Sequence, residues 1–230
     1  MALKNNKIPT EEKEQPMMLK DSAYIKIENM IVTGELEPSR WVSETELVKL
    51  SGFSRASVRS AIQRLSDQEL LAVFPSKGAQ VCPIDYTQQF RALELRRVLE
   101  EFIVLRAMKR ATKDQKKIFA EISSNLMNAS KNADQDALTE YDRKHFMLTL
   151  EIADNHFATK PMLCIKGLSR RFWLHHVEEF GDIPKMAEVL STVSQALAGD
   201  SEKEAKIAIH NLIDYIEEFT LSVVGYQPNR

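Results

Sequence analysis

The chain has 230 residues, of which 43% are hydrophobic and 28% charged, and its formal net charge is −2. This composition is typical of a globular protein with room for one large domain or two ordinary ones. It excludes a strongly basic nucleic-acid-binding chain, so any affinity for nucleic acid must come from local placement of charge. No apolar run is long enough to span a bilayer, and no membrane partner is expected.

Neither residues 1–18 nor the two cysteines indicate a catalytic or metal-binding site. Residues 1–18 mix lysine with glutamate and lack the apolar core of a signal peptide, so we expect a disordered arm there. Cys82 and Cys164 are far apart and outside any metal-ligand spacing. They indicate free thiols in a reducing, cytoplasmic setting.

Glycine and proline divide the chain into two parts. They cluster before residue 84 and are sparse afterwards, where long apolar helical patterns run almost without interruption. We therefore predict a mostly α protein. A small first domain over residues 19–84 is followed by an all-α helical bundle over residues 88–225.

The first domain begins with two predicted helices. Tyr24, Ile27 and Ile31 recur at helical spacing and give the first helix an apolar face. Ser43 and Glu46 have the S-x-x-E spacing of a capping box, which predicts the start of a second helix.

A third helix and a hairpin complete this domain. Residues 51–53 form a glycine turn, after which Ser54 is placed to cap the third helix. Two short apolar runs at 70–74 and 79–82 flank a Pro-Ser-Lys-Gly sequence, which predicts a β-hairpin. Three helices and a hairpin, with a glycine turn before the third helix, predict a winged helix-turn-helix. The third helix has an apolar stripe made of Val58, Ala61, Ile62 and Leu65.

The other face of the third helix is polar and cationic at its start. Arg55 lies in the first turn, Arg59 follows four residues later, and Lys77 is at the hairpin tip. The N-terminal residues of a recognition helix meet base edges and phosphates, and arginine pairs bidentately with guanine. The alternative is a solvated helix face with two ordinary arginines. The exposed positions of this face are Ala56, Arg59, Ser60 and Gln63.

The arrangement of these residues resembles the DNA-binding domain of the GntR family of bacterial regulators. The matching text is Ile31-x-x-Gly34-x-Leu36-x-Pro38, Ser43-Glu44-x-Glu46-Leu47, Gly52-Phe53-Ser54-Arg55-x-x-Val58-Arg59-x-Ala61-Ile62-x-Arg64-Leu65 and Pro75-x-Lys77-Gly78-x-x-Val81. The resemblance implies that operator DNA is contacted by Ser54, Arg55 and Arg59. It places Ala56 and Ser57 beside them, with Lys77 and Gly78 in the wing.

Three positions depart from the family pattern. Ser39 stands where a glycine usually follows the proline, and Thr45 replaces a basic residue often found between the two glutamates. Ala56 and Ser57 replace a threonine-proline pair, which implies a different operator preference.

The second domain resembles the FCD effector domain, which defines the FadR branch of the GntR regulators. The text that carries this resemblance is Glu94-Leu95-Arg96-Arg97-x-Leu99-Glu100, then Asp142-Arg143 and Glu151-x-Ala153-Asp154-Asn155. We expect six or seven helices in this domain.

Many FCD domains hold a metal ion on one aspartate and three histidines. The resemblance places Asp142 at the aspartate and puts Phe146, Leu190 and Leu212 at the histidine positions. We therefore expect no metal cofactor. A shifted set that uses Asp142 with His145 or His210 stays open, and with it the alternative of a metal-dependent enzyme.

An apolar pocket with a few polar groups is typical of a small-molecule site. Arg96 is the best candidate to hold a carboxylate, and the alternative for Arg96 is an ion pair with Glu100. The expected ligand is a small organic acid or an acyl-type metabolite. Candidate effector-binding residues are Arg96, Asp142, Phe146, Asn155, Arg171, Trp173, His175, Leu190 and Leu212.

The sequence thus predicts a non-enzymatic, ligand-responsive regulator, more often a repressor in this family. One recognition helix reads too little DNA for useful specificity, so a homodimer on a pseudo-palindromic operator is expected. The alternative is a ligand-independent DNA-binding dimer whose sensor domain has degenerated.

Overall fold

The computed structural model describes the backbone of residues 15–225 and the side chains of residues 22–225. Its contacts divide the chain into two compact units, residues 1–83 and 84–230. Most of the predicted arm lies outside the described residues. Its last four positions, 15–18, belong to the first helix, so the predicted arm is too long at that end.

The described part of the first unit contains three helices and a small antiparallel sheet. The helices are α1 (Gln15–Val32), α2 (Glu44–Ser51) and α3 (Arg55–Asp67). The strands are β1 (Trp41–Val42), β2 (Leu71–Phe74) and β3 (Gly78–Val81), in the order β1-β3-β2. The winged helix-turn-helix prediction is confirmed, and β1 is a strand that the sequence did not predict.

Local capping chemistry sets the start and end of α2. The hydroxyl of Ser43 accepts a hydrogen bond from the backbone N–H of Glu46 at 3.1 Å, and the Glu46 carboxylate accepts one from the N–H of Ser43. These bonds satisfy two donors that a helix start leaves unpaired. Gly52, with φ +77°, ends the helix in the left-handed region.

The wing depends on a glycine. Gly78 has φ +100°, and a Cβ atom built there would lie 2.8 Å from the backbone oxygen of Val42. That carbonyl belongs to β1, which pairs with β3 beside it. Any side chain at position 78 would push the two strands apart, so Gly78 has a structural role in the wing whatever it contacts outside.

Within residues 84–225 the structure has six helices, in agreement with the prediction. They are α4 (Tyr86–Arg110), α5 (Lys113–Asn132), α6 (Gln135–Ala153), α7 (His156–Phe180), α8 (Ile183–Ala198) and α9 (Glu202–Gly225). Side chains of Asp85, Thr112, Asp134, Asn155 and Asp182 cap the starts of α4 to α8 in turn.

These helices pack into one bundle. Helix α5 lies against α8, and α4 contacts α6, α7 and α9. Their shared core contains fully buried residues such as Phe119, Met162 and Ile209. Among the helices that the structure describes, none combines the length and apolar character needed to cross a bilayer.

Candidate nucleic-acid interface and ligand cavity

The start of α3 presents a cationic, largely exposed surface. Ser54 caps the helix, and its hydroxyl accepts a hydrogen bond from the backbone N–H of Ser57 at 3.2 Å. Residues 55–58 contain no acid, so the partial positive charge of the helix start is unopposed there. Arg55 and Ala56 are exposed, as is Lys77 at the tip of the wing.

Ser57 differs from its neighbours in this surface. It is buried, and its hydroxyl oxygen lies 3.0 Å from that of Ser54. The family resemblance placed Ser57 beside the DNA contacts, but its hydroxyl is used inside the cap. Its hydrogen bond to Ser54 links Ser57 to the geometry of the helix start.

Arg59 is held in a defined orientation. Its guanidinium donates two hydrogen bonds to the Glu44 carboxylate, at 3.0 Å and 3.1 Å, while 76% of the arginine side chain stays exposed. The hydrogen bond from Arg59 lowers the pKa of Glu44 below its ordinary value. Helix α2 therefore orients one of the two predicted DNA-contacting arginines. Arg64 has another role, because its guanidinium lies 4.0 Å from the ring centroid of Tyr24.

A cavity lies inside the second unit. It contains about 490 Å³ of empty space, counting the part that opens to solvent. Residues of α4, α6, α7, α8 and α9 form its wall. The lining comprises Arg96, Gln135, Leu138, Thr139, Asp142, Lys166, Ser169, Arg170, Trp173, Leu174, Met186, Leu190, Leu212 and Ile216.

Five of the nine predicted effector-binding residues meet in this wall. They are Arg96, Asp142, Trp173, Leu190 and Leu212, which come from five different helices. These five residues are up to 116 positions apart in a sequence of 230 residues, and the fold places them in one wall.

The other four do not line the cavity. Phe146 is buried one turn after Asp142, and the Lys166 ammonium lies 5.5 Å from its ring centroid. Asn155 caps α7 by accepting hydrogen bonds from the N–H groups of residues 157 and 158. Arg171 is buried but follows Arg170 by one position, which turns it to another side of α7, and His175 is exposed.

Two buried ion pairs contribute charge to the cavity wall, beside the guanidinium of Arg170. The Lys166 ammonium lies 2.7 Å from the Asp142 carboxylate, and both side chains are at least 86% buried. Burial by itself raises the pKa of Asp142, but Lys166 and then Arg96 outweigh it, so the pKa lies below its ordinary value. Arg96 pairs with Glu100 at 2.6 Å, which is the alternative that the sequence left open. Arg96 nevertheless lines the cavity as well.

Three buried polar atoms of this wall have no hydrogen-bond partner among the described residues. They are Nη2 of Arg96, Oγ of Ser169 and Oε1 of Gln135. Leaving such atoms unpaired in a folded protein costs free energy, about 1–3 kcal/mol each. All three atoms belong to residues that line the same cavity.

The donor set does not fit the metal site of related domains. Asp142 is present, but the positions that the resemblance assigns to histidines hold Phe146, Leu190 and Leu212, and the Lys166 ammonium pairs with the Asp142 carboxylate. The shifted alternative is not assembled either. His145 bonds Ser194 and His210 bonds Glu101, and in the described part of the chain no three acidic, histidine or cysteine side chains converge.

His145 instead belongs to the core. Its Nδ1 lies 2.8 Å from the Ser194 hydroxyl, and burial lowers the pKa of the imidazole to about 4, despite the attraction of Asp142. Between this value and 6.5, the ordinary pKa of histidine, the unfolded chain binds a proton that the folded chain does not. The free energy of unfolding should therefore decrease as pH falls through this window, by up to about 1.4 kcal/mol per pH unit from this residue.

Urea unfolding of the native chain and of His145→Asn at several pH values within that window measures this contribution. The asparagine amide can keep the hydrogen bond to Ser194 but does not titrate. We expect a shallower pH dependence for the variant. Equal slopes in the two proteins would show that His145 is not the group that loses a proton on folding.

Sequence reasoning missed Lys166, Ser169 and Gln135. A signal for the first two was present, because Lys166 and Ser169 lie four and seven residues after the buried Met162. That spacing puts them on the inward face of α7, where a lysine is unusual. Gln135 gave no such signal, since it is the first residue of α6 and has no periodic neighbour before it.

Known proteins similar to this chain agree with both halves of the fold. The model for bacterial regulatory proteins of the gntR family matches residues 19–81, and that for the FCD domain matches residues 91–215. An uncharacterized HTH-type transcriptional regulator of Streptomyces ambofaciens is 36% identical over 77 residues, covering 34% of this chain and 33% of that protein. The chain thus matches about a third of the length of this curated relative.

Two solved structures share the fold over most of the chain. E. coli McbR/YncC has a TM-score of 0.73 at 16% identity, covering 90% of this chain and 98% of the other. Lar, which controls the expression of the Listeria monocytogenes agr system, has a TM-score of 0.53 at 17% identity, covering 95% and 100%. With an N-terminal gntR domain and an FCD domain that accounts for more than half of its length, the chain belongs to the GntR family of bacterial regulatory proteins.

Proposed function

We propose that this protein is a cytoplasmic, non-enzymatic transcription regulator that binds a pseudo-palindromic operator as a homodimer and responds to a small organic acid. The observation that carries the proposal is the start of α3, where Arg55 and Arg59 are exposed beside an acid-free helix terminus. Helix termini of this kind bind phosphate, and arginines beside them reach guanine in the major groove. The Lys77 side chain adds a third cation at the wing tip.

In the proposed homodimer, the α3 helix of the second copy of the chain binds the other half of the pseudo-palindromic operator. Helix α4 carries an exposed apolar stripe formed by Leu95, Val98 and Phe102, and 70% of Val98 is open to solvent. These positions follow one another at helical spacing, so they form one strip along the helix. A contiguous apolar strip of this kind supports self-association through α4.

The cavity supports the sensing part of the proposal. A ligand that pairs with the unsatisfied atoms of the wall binds one arrangement of the bundle better than another. The affinity for the operator shifts by the difference between the two binding free energies. We propose repression that the ligand relieves.

Selection of duplex DNA from a randomised pool tests the proposal. We expect the native chain to recover a pseudo-palindrome, and the Arg55→Ala and Arg59→Ala variants to lose it. Failure to enrich any sequence, or enrichment that both variants retain, would contradict DNA recognition through α3. Enrichment together with indifference to every carboxylate tested would favour the ligand-independent alternative.

A further inference from the structure

The three unpartnered atoms of the cavity wall differ in whether they can donate a hydrogen bond to a ligand or accept one from it. Nη2 of Arg96 can only donate a hydrogen bond, and Oε1 of Gln135 can only accept one. The Gln135 amide is oriented by its Nε2, which donates to the Thr139 hydroxyl at 3.2 Å. The hydroxyl of Ser169 can do either. A ligand that satisfies all three must therefore carry both an acceptor and a donor.

Charge limits the ligand further. Arg96 and Lys166 each already have a carboxylate partner, Glu100 and Asp142 respectively. A ligand carboxylate can share the Arg96 guanidinium, because one of its terminal nitrogens remains unpaired. A second carboxylate would find that the three cations of the lining, Arg96, Lys166 and Arg170, already have partners, and it would lie near the Asp142 carboxylate.

The side of the wall formed by α8 and α9 is apolar. Leu190, Leu212, Met186 and Ile216 come from α8 and α9 and offer no hydrogen bond through their side chains. They suit a short hydrocarbon skeleton, which gains free energy by leaving water. The polar atoms, by contrast, come from α4, α6 and α7. The ligand thus has a polar end toward these three helices and a hydrocarbon end toward the other two.

We propose that the cavity selects a small monocarboxylate that also carries a hydroxyl or another hydrogen-bond donor, with Arg96 receiving the carboxylate and Gln135 receiving the donor. This inference rests on the proposed sensing function and narrows its ligand. A plain acyl chain leaves the Gln135 oxygen unpaired and binds less tightly. A site built around a ligand hydroxyl discriminates strongly against the analogue that lacks it, because its own polar group then stays buried without a partner.

Calorimetric titration of the full chain with matched acids tests the selection. The probes are butanoate and 3-methylbutanoate, their 2-hydroxy, 3-hydroxy and 4-hydroxy forms, and the dicarboxylate succinate. We expect at least one hydroxy acid to bind roughly tenfold or more tightly than its unsubstituted parent acid. Succinate should bind more weakly than both this hydroxy acid and its parent. This comparison uses only the native chain, so it does not depend on whether any variant folds.

Two variants then assign the preference to one residue. Gln135→Met removes the acceptor at similar length, and we expect it to bring hydroxy and unsubstituted acids within about twofold of each other. Gln195→Met makes the same change at an exposed position of α8 that does not line the cavity, and it should keep the native preference.

The outcomes separate this inference from the function on which it rests. Equal binding of hydroxy and unsubstituted acids, tighter binding of succinate, or a preference that survives in Gln135→Met would each overturn the inference while leaving acid sensing intact. If none of the carboxylates binds, the proposed sensing of a small organic acid is itself overturned.

Discussion

Replacing Arg55 by alanine is expected to weaken binding to the selected operator by roughly two to three orders of magnitude. A bidentate arginine–guanine contact contributes about 1–3 kcal/mol of discrimination, and a dimer loses it twice. The loss then amounts to about 2–6 kcal/mol, or roughly 30-fold to 10⁴-fold in the dissociation constant. Arg55 has this effect because it is exposed in the first turn of α3, which contains no acidic residue, and because the nearby Glu44 carboxylate is paired with Arg59. Fluorescence anisotropy with labelled operator at a fixed salt concentration measures it.

The matched control for this experiment is Arg91→Ala. Arg91 is also an exposed arginine, but it lies on α4 in the second unit. Its replacement removes the same charge from the chain and should change the affinity by less than about twofold. If both variants lose affinity equally, the arginines act through the net charge of the protein and α3 does not read the operator.

Lys166→Met is expected to lower the stability of the second unit by about 3–5 kcal/mol. The substitution leaves the Asp142 carboxylate buried without its ammonium partner, while methionine keeps most of the packing volume. For a chain of this length the melting temperature should fall by roughly 10 °C. Differential scanning calorimetry of the full chain records the change. The loss should be larger than for a surface ion pair, because only 12% of the Lys166 side chain is exposed.

Two further variants separate this mechanism from a general loss of packing. In the Lys166→Met, Asp142→Leu double variant both charges are gone, and most of the lost stability should return. Lys160→Met replaces an exposed lysine of the same helix and should leave the melting temperature nearly unchanged. A double variant as unstable as the single one would show that the buried charge is not the cause.

Local chemistry explains what the sequence could predict. The Ser43–Glu46 capping box and the Ser54 cap involve residues three positions apart, so their pattern is visible in the sequence. The two-residue strand β1 was missed because it is too short to show alternation. It exists through its pairing with β3, nearly 40 positions later in the chain. A pairing of that kind leaves no local trace.

The cavity shows the same division between local and distant information. Asp142, Leu190 and Leu212 were placed by the family resemblance, and the structure brings them together. The Lys166–Asp142 ion pair joins α7 to α6, and the sequence of neither helix alone predicts this pairing. Likewise, Arg96 was recognised as a carboxylate ligand and as a partner of Glu100, and only the packed bundle shows that it does the second while keeping one nitrogen free of partners among the described residues.

The positions of the two tryptophans give the chain a built-in pair of optical reporters. Trp41 is 47% exposed in the sheet of the first unit, where its ring lies tilted against that of Phe74, while Trp173 is buried in the wall of the cavity. A hydrated indole emits at longer wavelength than one in apolar surroundings, so the emission spectrum contains one component from each unit. Replacing Trp41 by phenylalanine leaves a protein whose fluorescence comes from the cavity alone. Occupancy of the bundle can then be followed in this variant, and melting of the winged domain can be followed from the Trp41 emission of the native chain, in both cases without an attached dye.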